Sequence, residues 1–162
     1  MSKKKQSELP PAELGKLRAR DAERMRKQRN LTKEIAPLPA ITDPALRARL
    51  GKDLEGFLLH CFPEAFPLPF SPAHKILIER LQEVFTRGGL QAVAMPRGFG
   101  KTTIALRAAL WAVLYGYQPY VALLGANAAA ADELLDTIKT LLETNDALLA
   151  LFPDVCYPIR CL

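Results

Sequence analysis

The chain has 162 residues, 49% of them apolar and 24% charged, with a formal net charge of +5; this fits about one domain of ordinary globular composition. The charge is uneven: residues 1–34 hold 11 Lys/Arg against 5 Asp/Glu, whereas residues 35–162 hold 11 against 12. Cys61, Cys156 and Cys161 show no C-x-x-C spacing and no His/Cys cluster, which argues against a zinc site or a disulfide framework. No apolar run nears the ~20 residues a bilayer requires, so an intracellular protein without a membrane span is expected.

Residues 1–34 read as a basic arm, helical or disordered. From Pro11 to Asn30 the residues favour helix, but Leu14, Leu17 and Met25 are too few for a continuous apolar stripe. Such an arm suits contact with nucleic-acid phosphates or an acidic partner, or serves as a solvated leader.

Residues 35–72 form a helical and proline-rich lead-in. The Asp43-Pro44 pair can cap a helix, and residues 44–61 read as helical with a break at Gly51. His60 and Cys61 then read as a packed helix end. Four prolines between Phe62 and Pro72 exclude both helix interior and central strand. Ser71 with Pro72 starts the next helix, expected to run to Arg87 with Ile76, Ile78, Leu81 and Val84 or Phe85 buried, and Gly88-Gly89 ends it.

Residues 91–95 (Gln-Ala-Val-Ala-Met) have the composition of a short buried strand, followed by Pro96-Arg97-Gly98-Phe99-Gly100-Lys101-Thr102-Thr103. The two glycines permit a turn with inward-pointing amides, and a lysine opening a helix adds its ammonium to the positive helix end. This is a candidate phosphate-binding loop in which Thr102 would put its hydroxyl on magnesium. Met95 stands where the usual G-x-x-x-x-G-K-[ST] pattern has its first glycine, so only the second half matches. The alternative is a glycine turn with a chance lysine.

Residues 101–116 are apolar nearly all round, which predicts a helix buried against a sheet. Residues 120–125 (Tyr-Val-Ala-Leu-Leu-Gly) read as a second strand, parallel to 91–95 in a βαβ unit. Asn127 caps a further helix with Leu134, Leu135, Ile138, Leu141 and Leu142 at helical spacing, and Asp132, Glu133, Asp136 and Glu143 on its solvated face. Its periodicity carries through Leu148–Phe152 to a turn at Pro153-Asp154, and residues 155–160 read as the start of another strand. The fold expected is α/β: an incomplete parallel sheet of the P-loop NTPase type, preceded by a helical N-terminal region.

With Met95–Thr103 flanked by Phe70-Ser-Pro-Ala-His74 and Ala122-Leu-Leu-Gly-Ala-Asn127, residues 53–160 resemble the N-terminal ATPase domain of bacteriophage terminase large subunits. In that family the loop commonly lacks the first glycine and carries an arginine before G-K-[ST], as Met95 and Arg97 do here. The resemblance implies that residues 73–162 are the first part of an ATPase domain. It further implies that Pro96, Arg97, Gly98, Phe99, Gly100, Lys101, Thr102 and Thr103 hold ATP, that Thr102 holds Mg2+, and that Arg97 and Lys101 stabilise transferring phosphoryl charge.

The adenine-reading glutamine of the family is matched in place by His74, with Gln82 two turns later. Double-stranded DNA, the small terminase subunit and the portal protein are the implied partners. A homo-oligomeric motor in the host cytoplasm is the implied setting.

Hydrolysis also needs a strand ending in a magnesium-holding aspartate and a water-orienting carboxylate. The 61 residues after Lys101 supply neither, so the chain reads as a truncated or partial motor that binds nucleotide without efficient turnover. Two other readings stay open: a non-enzymatic fragment docking through its basic arm, and a helicase-like P-loop ATPase.

Overall fold

The computed structural model describes residues 38–161; the basic arm of residues 1–34 and its Pro11–Asn30 helix lie outside them. Seven helices follow in order: α1 Pro44–Leu50, α2 Leu54–Cys61, α3 Pro72–Arg87, α4 Lys101–Leu114, α5 Ala128–Thr144, α6 Asp146–Leu151 and α7 Pro153–Arg160.

Capping chemistry sets most of the starts. Asp43 accepts from the Leu46 amide, Asp53 from Gly56, Ser71 from His74, Asn127 from Ala130 and Asn145 from Leu148, each satisfying an amide that the first helical turn leaves without a partner. Gly51 breaks α1 from α2, and α3 ends at Gly88 with φ +83°, a backbone region that favours glycine.

The α/β expectation is overturned. Among the described residues there is no strand and no sheet, and the apolar runs 91–95 and 120–125 are irregular connections rather than paired strands. Much of their apolar surface faces solvent: Val93, Tyr120 and Leu124 are exposed, the last at 91%, while Met95 packs against the helical core. Two short parallel strands with no third neighbour and no covering layer bury too little to repay their ordering entropy. Strand-like composition alone does not make a ladder.

What α4 buries against is therefore helical. Trp111, Ala108 and Ala112 are wholly inaccessible, and α4 packs on α2 and α3. The core comprises Leu54, Phe57, Leu58 and Cys61 of α2, Leu77 and Ile78 of α3, the inner face of α4, and Leu148, Leu151, Phe152 and Cys156 from the C-terminal pair. Each fully buried leucine or phenylalanine contributes about 1.5–3 kcal/mol of transfer free energy. On α3 it is Leu77, and not Ile76, that turns inward; Ile76 is exposed.

The C-terminal end of α4 locks onto α1 through three aromatic donors. Trp111 Nε1 donates to the Leu50 carbonyl at 2.9 Å, Tyr115 Oη to Arg47 at 2.8 Å and Tyr117 Oη to Gly51 at 2.7 Å. Carbonyls at the end of a helix have spare acceptor capacity, and here Arg47 and Leu50 add these side chains to the Gly51 and Asp53 amides that they already accept. A seven-residue helix is thus fixed by side chains more than sixty residues away.

Three further expectations change at the C-terminus. The helix after Asn127 does not run on through Leu148–Phe152, because Asn145 ends α5 and caps α6, its Nδ2 donating to the Cys61 carbonyl at 2.7 Å. Residues 155–160 are helix and not strand: α7 starts with Pro153 in its first turn, buries Cys156 and tolerates Pro158 inside while packed on α5 and α6. Asp154, expected in a turn, lies in the first turn of α7, where a carboxylate complements the helix dipole, and pairs with Arg47 at 3.3 Å.

Candidate functional site

The loop 96–100 joins the irregular run 91–95 to α4, and its shape follows from its glycines. Gly98 has φ +78° and Gly100 φ +69°, the left-handed region where a Cβ crowds the backbone. A Cβ added at either position would meet nothing within 4 Å, so conformation and not crowding requires glycine here.

Gly100 is the N-cap of α4, and no side chain caps that helix. The amides of Lys101, Thr102 and Thr103 are therefore left without a side-chain acceptor, at the positive end of a 14-residue helix dipole. α1, α2, α3, α5 and α6 each bring their own Asp, Ser or Asn, whereas α7, like α4, starts without a side-chain cap.

Lys101 folds back over the loop. Its Nζ donates to the Met95 carbonyl at 2.6 Å and to the Pro96 carbonyl at 2.7 Å, so the ammonium sits over the concave side of the turn with part of its hydrogen-bonding capacity in use. Arg97 and Thr102 are exposed and Thr103 half-buried. The loop, Lys101, Thr102 and Thr103 are contiguous in space as in sequence.

His74 reaches the loop from α3 with both ring nitrogens engaged. Its Nδ1 accepts from the Ser71 amide at 3.3 Å, which fixes the ring proton on Nε2, and Nε2 donates to the Phe99 carbonyl at 3.1 Å. The two rings are also in contact, tilted at 45° with centroids 4.7 Å apart. Both nitrogens are thus committed inside the protein.

Gln82 is equally committed, its Oε1 accepting from the Leu54 amide at 2.8 Å and its Nε2 donating to the Lys52 carbonyl at 3.1 Å. Neither residue has a free edge to read adenine.

The residues present suit a bound magnesium triphosphate in one respect: a turn with two left-handed glycines, a lysine and helix-start amides without a side-chain acceptor adjoin one another, with Thr102 exposed beside them. Among the described residues no group of three His, Cys, Asp or Glu side chains converges as a metal site, so Thr102 and the phosphates themselves would hold the ion.

A cleft of about 380 Å³ lies elsewhere, lined by His60, Phe62, Glu64, Arg107, Thr144 and Asp146 among others and by no residue of the loop. His60 is exposed on its rim, while Cys61 beside it is buried. Arg107 stacks over Phe62 at 5.0 Å and donates from Nη1 to the Thr103 carbonyl at 3.2 Å; burial lowers its pKa. The sequence marks Arg107 only as one of two cations, with Lys101, on a mostly apolar helix, which assigns it no role. The Ser71/His74 capping box is not legible there either, because histidine replaces the usual Glu or Gln.

No protein-family description, curated protein or solved structure matches the chain. Among the described residues no helix is long and apolar enough to cross a membrane.

Proposed function

We propose that the loop 96–103 binds the phosphate tail of a nucleoside triphosphate, ATP with Mg2+, and that the chain is a nucleotide-binding segment of a bacteriophage terminase large subunit. The observation that carries this reading is the convergence of Lys101, two left-handed glycines and a helix start without a side-chain cap. Each local choice would be costly or idle without an anion: the glycines are conformationally required, and the uncapped amides forgo about 1 kcal/mol that an Asp or Ser cap contributes.

A triphosphate supplies acceptors for those amides and a counter-charge for Lys101. On binding, Lys101 Nζ exchanges the Met95 and Pro96 carbonyls for phosphate oxygens, which are stronger acceptors because they are charged. Arg97 adds a second cation at the mouth of the loop, and Thr102 coordinates magnesium. The terminase assignment rests on the Met-Pro-Arg-Gly-Phe-Gly-Lys-Thr-Thr sequence and its flanks, and brings duplex DNA, the small subunit and the portal as partners of the assembled motor.

Thermal unfolding with and without MgATP tests the site. At about a hundred times Kd the ligand stabilises by ~2.7 kcal/mol, a rise of several degrees that Lys101→Ala abolishes. No protection of the unmodified protein, or equal protection of the variant, removes the proposal.

A further inference from the structure

The geometry points to His74 as a positioning residue of the phosphate loop, a latch that holds the Phe99 carbonyl and so sets where the Gly100 amide points. This inference rests on the nucleotide-site reading above and replaces base recognition with loop alignment as the role of this histidine.

Three observations converge. First, the Nε2 hydrogen bond spans 25 residues and joins the first turn of α3 to the turn between the two left-handed glycines. Second, the ring is held at its other nitrogen: Nδ1 accepts from the Ser71 amide at 3.3 Å and lies 3.2 Å from Ser71 Oγ, so the donor direction of Nε2 is fixed by the cap of α3. Third, the ring is wedged between aromatic neighbours, Phe70 at 5.9 Å and Phe99 at 4.7 Å between centroids, which removes its rotational freedom.

The peptide plane that the latch grips, the Phe99 carbonyl, is the one whose amide belongs to Gly100. Rotating it would turn the Gly100 amide, whereas the first amide of α4 lies in the next peptide plane, whose carbonyl, that of Gly100, accepts from the Ile104 amide at 2.9 Å. A loop whose two glycines tolerate many conformations is thereby confined to one, and the entropy of ordering it is not charged to the ligand. The latch touches neither base nor ribose, so its effect extends to any ligand with a triphosphate tail.

The experiment compares the unmodified protein with His74→Ala, His74→Gln and Ser71→Ala by calorimetric titration with magnesium tripolyphosphate, MgATP and MgGTP. His74→Ala is expected to weaken all three ligands alike, by about fivefold to tenfold, the loss of one neutral hydrogen bond. His74→Gln, whose side-chain amide can donate to the same carbonyl, recovers affinity to within about twofold, and Ser71→Ala, which deletes the cap hydroxyl but keeps the backbone amide on Nδ1 and the Phe99 contact, changes it little.

A loss confined to MgATP makes His74 a base reader and overturns the inference, as does unchanged affinity in His74→Ala. The Gly100 amide resonance in the ligand-free protein is the independent arm: it moves in His74→Ala, stays in Ser71→Ala, and its indifference to both also overturns the latch. If the unmodified protein does not bind tripolyphosphate while the Gly100 contrast persists, the nucleotide reading has failed and the latch has not.

Discussion

Replacing Trp111 with phenylalanine tests whether the far end of α4 is anchored as the structure describes. The side chain is completely buried and donates to the Leu50 carbonyl at 2.9 Å. The substitution removes three ring atoms; at ~0.8 kcal/mol for each methylene-sized group this costs about 2 kcal/mol. The lost hydrogen bond adds about 1 kcal/mol, at the low end because Leu50 O keeps the Asp53 amide at 3.3 Å.

The sum, about 3 kcal/mol, is a large part of the ~5–15 kcal/mol typical of a domain and corresponds to a fall of roughly 10 °C in Tm for a chain of this size. Urea unfolding followed by far-ultraviolet circular dichroism measures it without relying on the tryptophan being replaced. Val113→Ala, at a neighbouring but exposed position of α4, is the control and changes stability by less than about 0.5 kcal/mol. A Trp111→Phe cost below about 1 kcal/mol refutes the packing described.

Three other outcomes are expected. Burial, with Cys156 nearby, pushes the Cys61 thiol up to about 12 from an ordinary value of 9.0; stability from this group is full below about pH 9 and is lost as pH rises towards 12, so the decline of unfolding free energy over that window is shallower in Cys61→Ala. Gly100→Ala forces an L side chain to φ +69° at a cost of about 1–2 kcal/mol, and should abolish MgATP protection in thermal unfolding while shifting the ligand-free Tm by only a few degrees. Gln82→Ala removes the bridge between Leu54 and Lys52 and costs about 1–2 kcal/mol in urea unfolding, with the preference between MgATP and MgGTP unchanged if Gln82 is structural.

The helix boundaries were legible because they are local. Asp43-Pro44, Ser71-Pro72, Gly88 and Asn127 each solve a backbone hydrogen-bonding or φ problem within three or four residues, and the structure puts a helix end at each. The same holds for the glycine turn before Lys101. The sheet was not legible, because a strand exists only through its partner: Ala92–Met95 and Tyr120–Leu124 have the right side chains, but pairing is a tertiary event.

Asn145 shows the converse: an apolar periodicity continues in sequence across a helix break that one side chain makes, ending the first helix and capping the second. The roles of His74 and Gln82 were illegible for a related reason. Their partners, Phe99 in one case and Lys52 and Leu54 in the other, are 25 to 30 residues away.

The most direct measurement is a two-dimensional amide spectrum of the ¹⁵N-labelled protein titrated with MgATP. The triphosphate account predicts saturable shifts concentrated at Gly98, Phe99, Gly100, Lys101 and Thr102, absent in Lys101→Ala. An unchanged spectrum, or shifts confined to the cleft around Phe62, Arg107 and Asn145, contradicts it.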